Sequence, residues 1–281
     1  MADLHSINDA INKRAGRKLL PSILVSLSLL TLIFGSITLE PKLFLLLICI
    51  VISLGVRELT HAYRAGGIEL PDLPIMAVTL IILLASWFGG TEGLAVSTGL
   101  SIPILMFLLL LISQKDFIKR STSAVFAVFY LAVLGGFILL VANDPDGGKR
   151  ILALVVLISC NDTFAYFAGV LFGKHKMAPS ISPKKSWEGL TGGLIASVIG
   201  GGLVFQNAFN VDWYVGSAIG VMTVVTATCG DLIESAIKRD LAIKDMSNLL
   251  PGHGGIMDRL DSALFTAPAV WFAFELINRY L

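Results

Sequence analysis

The stretch Ile151-LALVVLISCNDTFAYFAGVL-Phe172 decides the fold. As a helix rising 1.5 Å per residue it is about 33 Å long, the thickness of a bilayer's hydrocarbon layer. It carries a single charged side chain, Asp162, near its middle. Runs of the same kind recur along the chain at about 19–39, 42–56, 73–88, 93–112, 121–142, 190–209, 213–237 and 261–278. Hydrophobic residues make up 55% of the sequence and charged residues 15%, with a mean hydropathy of +0.82. A soluble domain of this length could not cover such a composition with polar surface. The expected fold is therefore all-α: a polytopic integral membrane protein of about nine transmembrane helices.

Charge placement sets the orientation. With nine spans and the N-terminus in the cytosol, all of the 21 Lys and Arg residues except Lys42, Lys149, Arg150 and Arg279 fall on the cytosolic side, as the positive-inside rule requires. Residues 1–18 then read as a cytosolic lead-in, 19–149 as an N-terminal set of spans and 150–281 as a C-terminal set that carries the chemistry. No nucleic-acid partner is expected. Cys49, Cys160 and Cys229 lie in apolar stretches and are read as small buried hydrophobes, not disulfide or zinc ligands. Trp87, Trp187, Trp213 and Tyr280 fall at span ends as interfacial anchors. Arg57, Glu58, His61 and Arg64 read as an amphipathic surface helix, with a contribution to nucleotide capture as the alternative, and the glycines at 89–93, 135–136 and 200–202 as turns or close helix contacts.

The polar residues concentrate in three places. An unpaired carboxylate at mid-membrane costs about 2.5 to 3.5 kcal/mol on insertion scales, so Asp162 needs a partner or water; Asn161 precedes it. After that span, SPKKSWEG places Ser182, Lys184, Lys185 and Glu188 in a rigid turn before a helix. The third place runs from Gly230 to Asp261. Asp231, Glu234, Ser235 and Lys238 follow i, i+3, i+4, i+7 spacing on one helical face. Arg239 and Lys244 come next, then the breaker-rich Pro251-Gly-His253-Gly254-Gly255, whose amides can approach an anion. Asp258, Arg259 and Asp261 open the last span. Acids suited to a hard cation, beside lysines and backbone amides suited to phosphates, point to phosphoryl or nucleotidyl transfer at a membrane surface. Asp162 and Asp231 would lie about 15 Å and 10 Å inside the cytosolic helix ends, lining a polar cavity open to that side.

The segment S235-AIKRDLAIKDMSNLLPGHGGIMDRL-D261 resembles the C-terminal signature of phosphatidate cytidylyltransferases, the CDP-diacylglycerol synthases. N161-D-T163, S182-PKKSWE-G189 and G230-D231 with E234-S235 look like further motifs of that family, in the expected order. The resemblance implies condensation of CTP with phosphatidate to CDP-diacylglycerol and pyrophosphate. It also implies Mg2+ as cofactor, with K+ in some members, the cell (inner) membrane as location with the site facing the cytosol, and a homodimer. Asp231, Asp258 and Asp261 would hold metal, and Lys238 would serve the reaction beside them. Asn161, Asp162, Ser182, Lys184, Lys185, Glu188, Glu234, Ser235, Arg239, Lys244, His253, Gly254, Gly255 and Arg259 would bind substrate. Related families that use CTP on archaeal ether lipids or on polyprenols remain alternatives. An ion-coupled transporter is a third reading, given intramembrane acids, but no internal repeat carries paired acids in both halves. The spaced acidic pattern of CDP-alcohol phosphotransferases is absent.

Overall fold

The structure, a computed structural model, describes residues 19–247, 249 and 254–280. The lead-in at 1–18 and the site candidate His253 lie outside these residues. Eight helices follow in order: α1 Leu19–Leu39, α2 Pro41–Ala65, α3 Asp72–Ile112, α4 Phe117–Ala142, α5 Gly147–Phe172, α6 Trp187–Phe209, α7 Trp213–Asp240 and α8 Met257–Tyr280. Between α5 and α6 sits an antiparallel hairpin of β1, Lys176–Ala178, and β2, Ser182–Ser186. The chain is thus an all-α multi-pass membrane protein, with the seven helices α2–α8 long and apolar enough to cross a bilayer among the described residues.

The expected count of nine differs from these seven in two places. In α1 the apolar stretch among the residues with described side chains is Leu27–Leu39, shorter than a span. α3 joins the runs expected at 73–88 and 93–112. Its 41 residues would reach about 60 Å if straight, twice the hydrocarbon thickness. It is not straight. Gly90 takes φ 60 and ψ −146, a backbone state open essentially to glycine, and Gly93 packs against the Ala85 carbonyl with no room for a Cβ. The far ends of α3 are brought together by Arg120, which donates to the Glu69 carbonyl at 3.1 Å and the Ser113 carbonyl at 2.9 Å. α3 is therefore two antiparallel arms.

The loops sort to two ends of the bundle. Arg120 ties 66–71 to 113–116 at one end, where Leu241 packs on Gly66 and Arg239 Nε donates to the Ile181 carbonyl at 3.2 Å. At the other end Asn143 Nδ2 donates to the Trp87 carbonyl at 2.7 Å, and Arg150 pairs with Asp144 while its guanidinium lies over Phe274. Trp87 is buried inside this junction, so it is a packing residue and not the interfacial anchor expected of it. Trp187, Trp213 and Tyr280 are exposed at helix ends.

α4 is the most enclosed helix: Leu131 lies against Gly55 of α2, Gly135 against Ile52 of α2 and Leu83 of α3, and its Leu131 and Leu139 belong to one core with Leu264 and Val270 of α8. α5 instead turns Phe164, Phe167, Val170 and Leu171 outward, the apolar belt a bilayer requires. α6 and α7 approach through small residues, Gly201 on Gly216 and Gly220 on the Ser197 backbone. This is the contact expected of the 200–202 glycines, because helix association in lipid rests on close packing. The three cysteines are free, with Cys229 exposed and the others half-buried.

Candidate active site

The acids and bases of the C-terminal half meet at the end of the bundle that carries the β hairpin. α7 brings Asp231, Glu234 and Lys238 along one face. α8 brings Asp258 and Asp261 alongside, and Gly230 allows it, because a Cβ there would run into the Asp261 carbonyl and reach Phe265 Cβ at 3.1 Å. α5 contributes Asp162. The carboxylates of Asp162, Asp231 and Asp261 interact electrostatically with one another, and Asp162 also with Lys185 and Arg259. Asp162 is exposed and Asp231 keeps 38% side-chain exposure, so both are open to the exterior of the bundle. That exposure makes carboxylates tolerable this far along apolar helices.

Each base has a defined place. Lys185 Nζ lies 2.6 Å from Asp231 Oδ2. In β2 Lys185 turns inward toward Asp231 while its neighbour Lys184 is exposed. The motif was expected as a turn; it forms a strand because Ile181 N closes on the Ala178 carbonyl at 3.2 Å and Ser186 pairs with Lys176. Ser182 stands half-buried at the start of that strand. Ser186 then caps α6, accepting from Gly189 N at 3.2 Å. Glu188 accepts from His175 N at 3.2 Å and faces His175 Nδ1 at 2.6 Å, so it fastens the hairpin to α6.

Lys238 is the centre of the buried charge. It pairs with Glu234, whose side chain is 1% exposed, and lies 2.7 Å from Asp258 Oδ1. Asp258 Oδ2 accepts from Gly255 N at 2.7 Å and from Met246 N at 3.3 Å. Asp258 is therefore committed to Lys238 and to the backbone on either side of the 246–255 segment. Asp261 Oδ1 accepts from the Ser262 amide at 2.7 Å. Among the described residues no three His, Cys, Asp or Glu side chains are close enough to enclose a metal unaided. Asn161 is buried against α6, where a Cβ on Gly193 would stand 2.6 Å from Asn161 Oδ1. Its Nδ2 donates to Asp162 Oδ1 at 3.0 Å, so it orients the acid. Ser235 is half-buried on the α7 face, and Lys244, Arg239 and Arg259 are exposed at the rim.

The cytidylyltransferase family matches this chain over residues 21–277, from α1 through nearly all of α8. Its relatives include the phosphatidate cytidylyltransferases of Mycobacterium bovis, 30% identical over 277 residues that cover 94% of this chain and 90% of the relative, and of Mycobacterium leprae, 31% identical over 280 residues with the same coverage. That of Staphylococcus haemolyticus is 32% identical over 242 residues, covering 84% of this chain and 92% of the relative. The chain belongs to the cytidylyltransferase family. The match extends well beyond the C-terminal motifs, into spans whose sequences carry no polar signal.

Two residues outside the motifs of this cytidylyltransferase chain also approach the site. Tyr130 lies in a π-helical turn of α4, Phe129–Val133, of the kind often found at functional sites. It is 1% exposed, stacked at 5.6 Å on Phe126, and its hydroxyl has no hydrogen-bond partner among the described residues. The charges of Asp261, Glu234, Asp231 and Asp258 all act on it. Glu58 was read as part of a surface helix, but α2 continues unbroken to Ala65 and Glu58 is buried. It reaches the signature segment from a sequence separation of nearly 200 residues. Neither residue belongs to one of the three polar motifs.

Proposed function

We propose that the protein transfers the cytidylyl group of CTP to phosphatidate, releasing pyrophosphate and forming CDP-diacylglycerol. The observation that carries this reading is the meeting of Asp162, Asp231 and Asp261 beside Lys185 and Lys238 at an open end of the membrane bundle. In the reaction a phosphate oxygen of the lipid forms a bond to the α-phosphorus of CTP, the bond from that phosphorus to the α–β bridging oxygen breaks, and pyrophosphate departs. A phosphate monoester has its second pKa at about 6, so the nucleophile is already anionic and no strong base is needed. Positioning and neutralisation of charge supply the rate. Lys185 and Lys238 are placed to take up charge on phosphate oxygens, with Arg239, Lys244 and Arg259 at the rim to gather the substrates.

The donors fit a magnesium ion. They are carboxylate oxygens, and such an ion is commonly held by one or two carboxylates completed by substrate phosphates. In this reading Asp231 and Asp261 are its ligands, Asp162 stands by for a second cation such as K+, and Asp258 contributes by holding Lys238. Bound magnesium would neutralise phosphate charge and favour departure of pyrophosphate. Pyrophosphate release by purified protein in detergent should require CTP, phosphatidate and Mg2+ together, with UTP, ATP and GTP far poorer; equal turnover with UTP would overturn the assignment.

Orientation belongs to the same proposal. α1 and both arms of α3 each cross the cell membrane, giving nine crossings with the N-terminus and the site in the cytosol, and the protein acts as a homodimer. Lys184 and Lys244 are exposed at the site end, so an impermeant amine reagent should modify them only from the cytosolic face. Modification of either from outside contradicts this topology.

A further inference from the structure

Glu58 is a buried carboxylate with no cationic side chain paired to it among the described residues, and such a charge is expensive unless hydrogen bonds compensate it. Three do. Ser247 Oγ donates to Glu58 Oε1 at 2.5 Å, Ile256 N to the same oxygen at 2.9 Å and Met257 N to Oε2 at 2.9 Å. The two amides open α8, where a negative charge also meets the positive end of the helix dipole. Gly255 is packed against this carboxylate so tightly that a Cβ would stand 2.6 Å from Oε2. Asp258 Oδ2 in turn accepts from Met246 N and Gly255 N. Both ends of the 246–257 segment are thus gripped by two carboxylates, one of them from α2 in the N-terminal half.

We propose that Glu58 is a positioning residue: it fixes the entry and exit of the signature segment, and so sets Asp258, Lys238 and Gly254–Gly255 against the nucleotide phosphates. This rests on the cytidylyltransferase reading above. The N-terminal spans then form part of the catalytic unit and are more than an anchor. A neutral amide cannot replace the carboxylate here, because the NH2 of Gln would face a backbone N–H that needs an acceptor.

Two measurements on the purified full-length protein test it. Amide hydrogen exchange at Met246 and Gly255–Met257 should accelerate in Glu58→Gln, while exchange in α4 is unchanged. In steady-state kinetics kcat should fall about 10- to 100-fold, the loss a misplacement of about 1 Å can produce, with KM for phosphatidate within twofold of wild type and Glu58→Asp recovering part of the loss. Faster exchange with kcat and KM for CTP unchanged would make Glu58 a helix cap only, and unchanged exchange would remove the clamp. If Glu58→Gln does not fold, Ser247→Ala carries the same readouts with smaller changes. Absence of turnover in the wild-type protein would instead count against the cytidylyltransferase reading, and the exchange comparison would still decide the clamp.

Discussion

Asp231→Asn should reduce CTP- and phosphatidate-dependent turnover by about 10^2- to 10^3-fold, the loss typical of removing one group that stabilises transition-state charge, while the protein still inserts and folds. The substitution keeps shape and removes a charge. The Asp231 side chain is 38% exposed and ion-paired to Lys185, a partly exposed contact of the kind that contributes little to stability. Its role in this account is to share a cation with Asp261. The two should therefore act as a unit, the double Asp→Asn variant being little worse than either single one. Asp240→Asn, an exposed change at the C-terminal end of the same helix, should stay within twofold of wild type. Normal Mg2+-dependent turnover by folded Asp231→Asn would remove Asp231 from the metal site and leave the ion to Asp162 and Asp261.

The largest effect on stability is expected at Lys238. Its side chain is 15% exposed and stands between Glu234, 1% exposed, and Asp258, 9% exposed. Lys238→Met fills similar volume but strands two buried carboxylates, and breaking a buried ion pair from one side costs about 3–5 kcal/mol. Thermal unfolding in detergent should show a large drop in Tm. Adding Glu234→Gln to Lys238→Met should restore much of it, since that removes one orphaned charge. A Tm for Lys238→Met equal to wild type would mean that Lys238 does not balance these acids. Activity should be lost in both variants, which separates the structural role of Lys238 from its place beside the phosphates.

The spans were legible because apolar runs of hydrocarbon length have few other readings. Their ends were less so. α2 was expected to stop near residue 56 because Arg57 and Glu58 looked like the start of an aqueous segment, but Glu58 is satisfied by α8 and the helix runs on to Ala65. α6 begins at Trp187, three residues before its apolar run, because Ser186 caps it. The hairpin at 176–186 was hidden by its Lys, Pro and Ser content, which reads as turn. In the site, helical spacing placed Asp231, Glu234 and Lys238 on one face, and the structure keeps them there. What spacing could not supply was partnership. That Lys185 and not Lys184 turns inward, that Asp258 takes Lys238 and two amides, and that Asn161 faces Gly193 are consequences of how α5, α6, α7 and α8 pack. Glu58 and Tyr130 lie outside every local motif, and only tertiary contact joins them to the site.

The most direct measurement follows two labelled phosphates of CTP, one at the α position and one at the γ position, through a single incubation of purified protein with phosphatidate and Mg2+. Cytidylyl transfer predicts the α label in the lipid product and the γ label in pyrophosphate, in equal amounts and both dependent on Asp231. Appearance of the γ label in lipid would make the protein a CTP-dependent lipid kinase. Absence of both labels from lipid, with a cation flux in liposomes that depends on Asp162 and Asp231, would contradict the enzyme reading altogether.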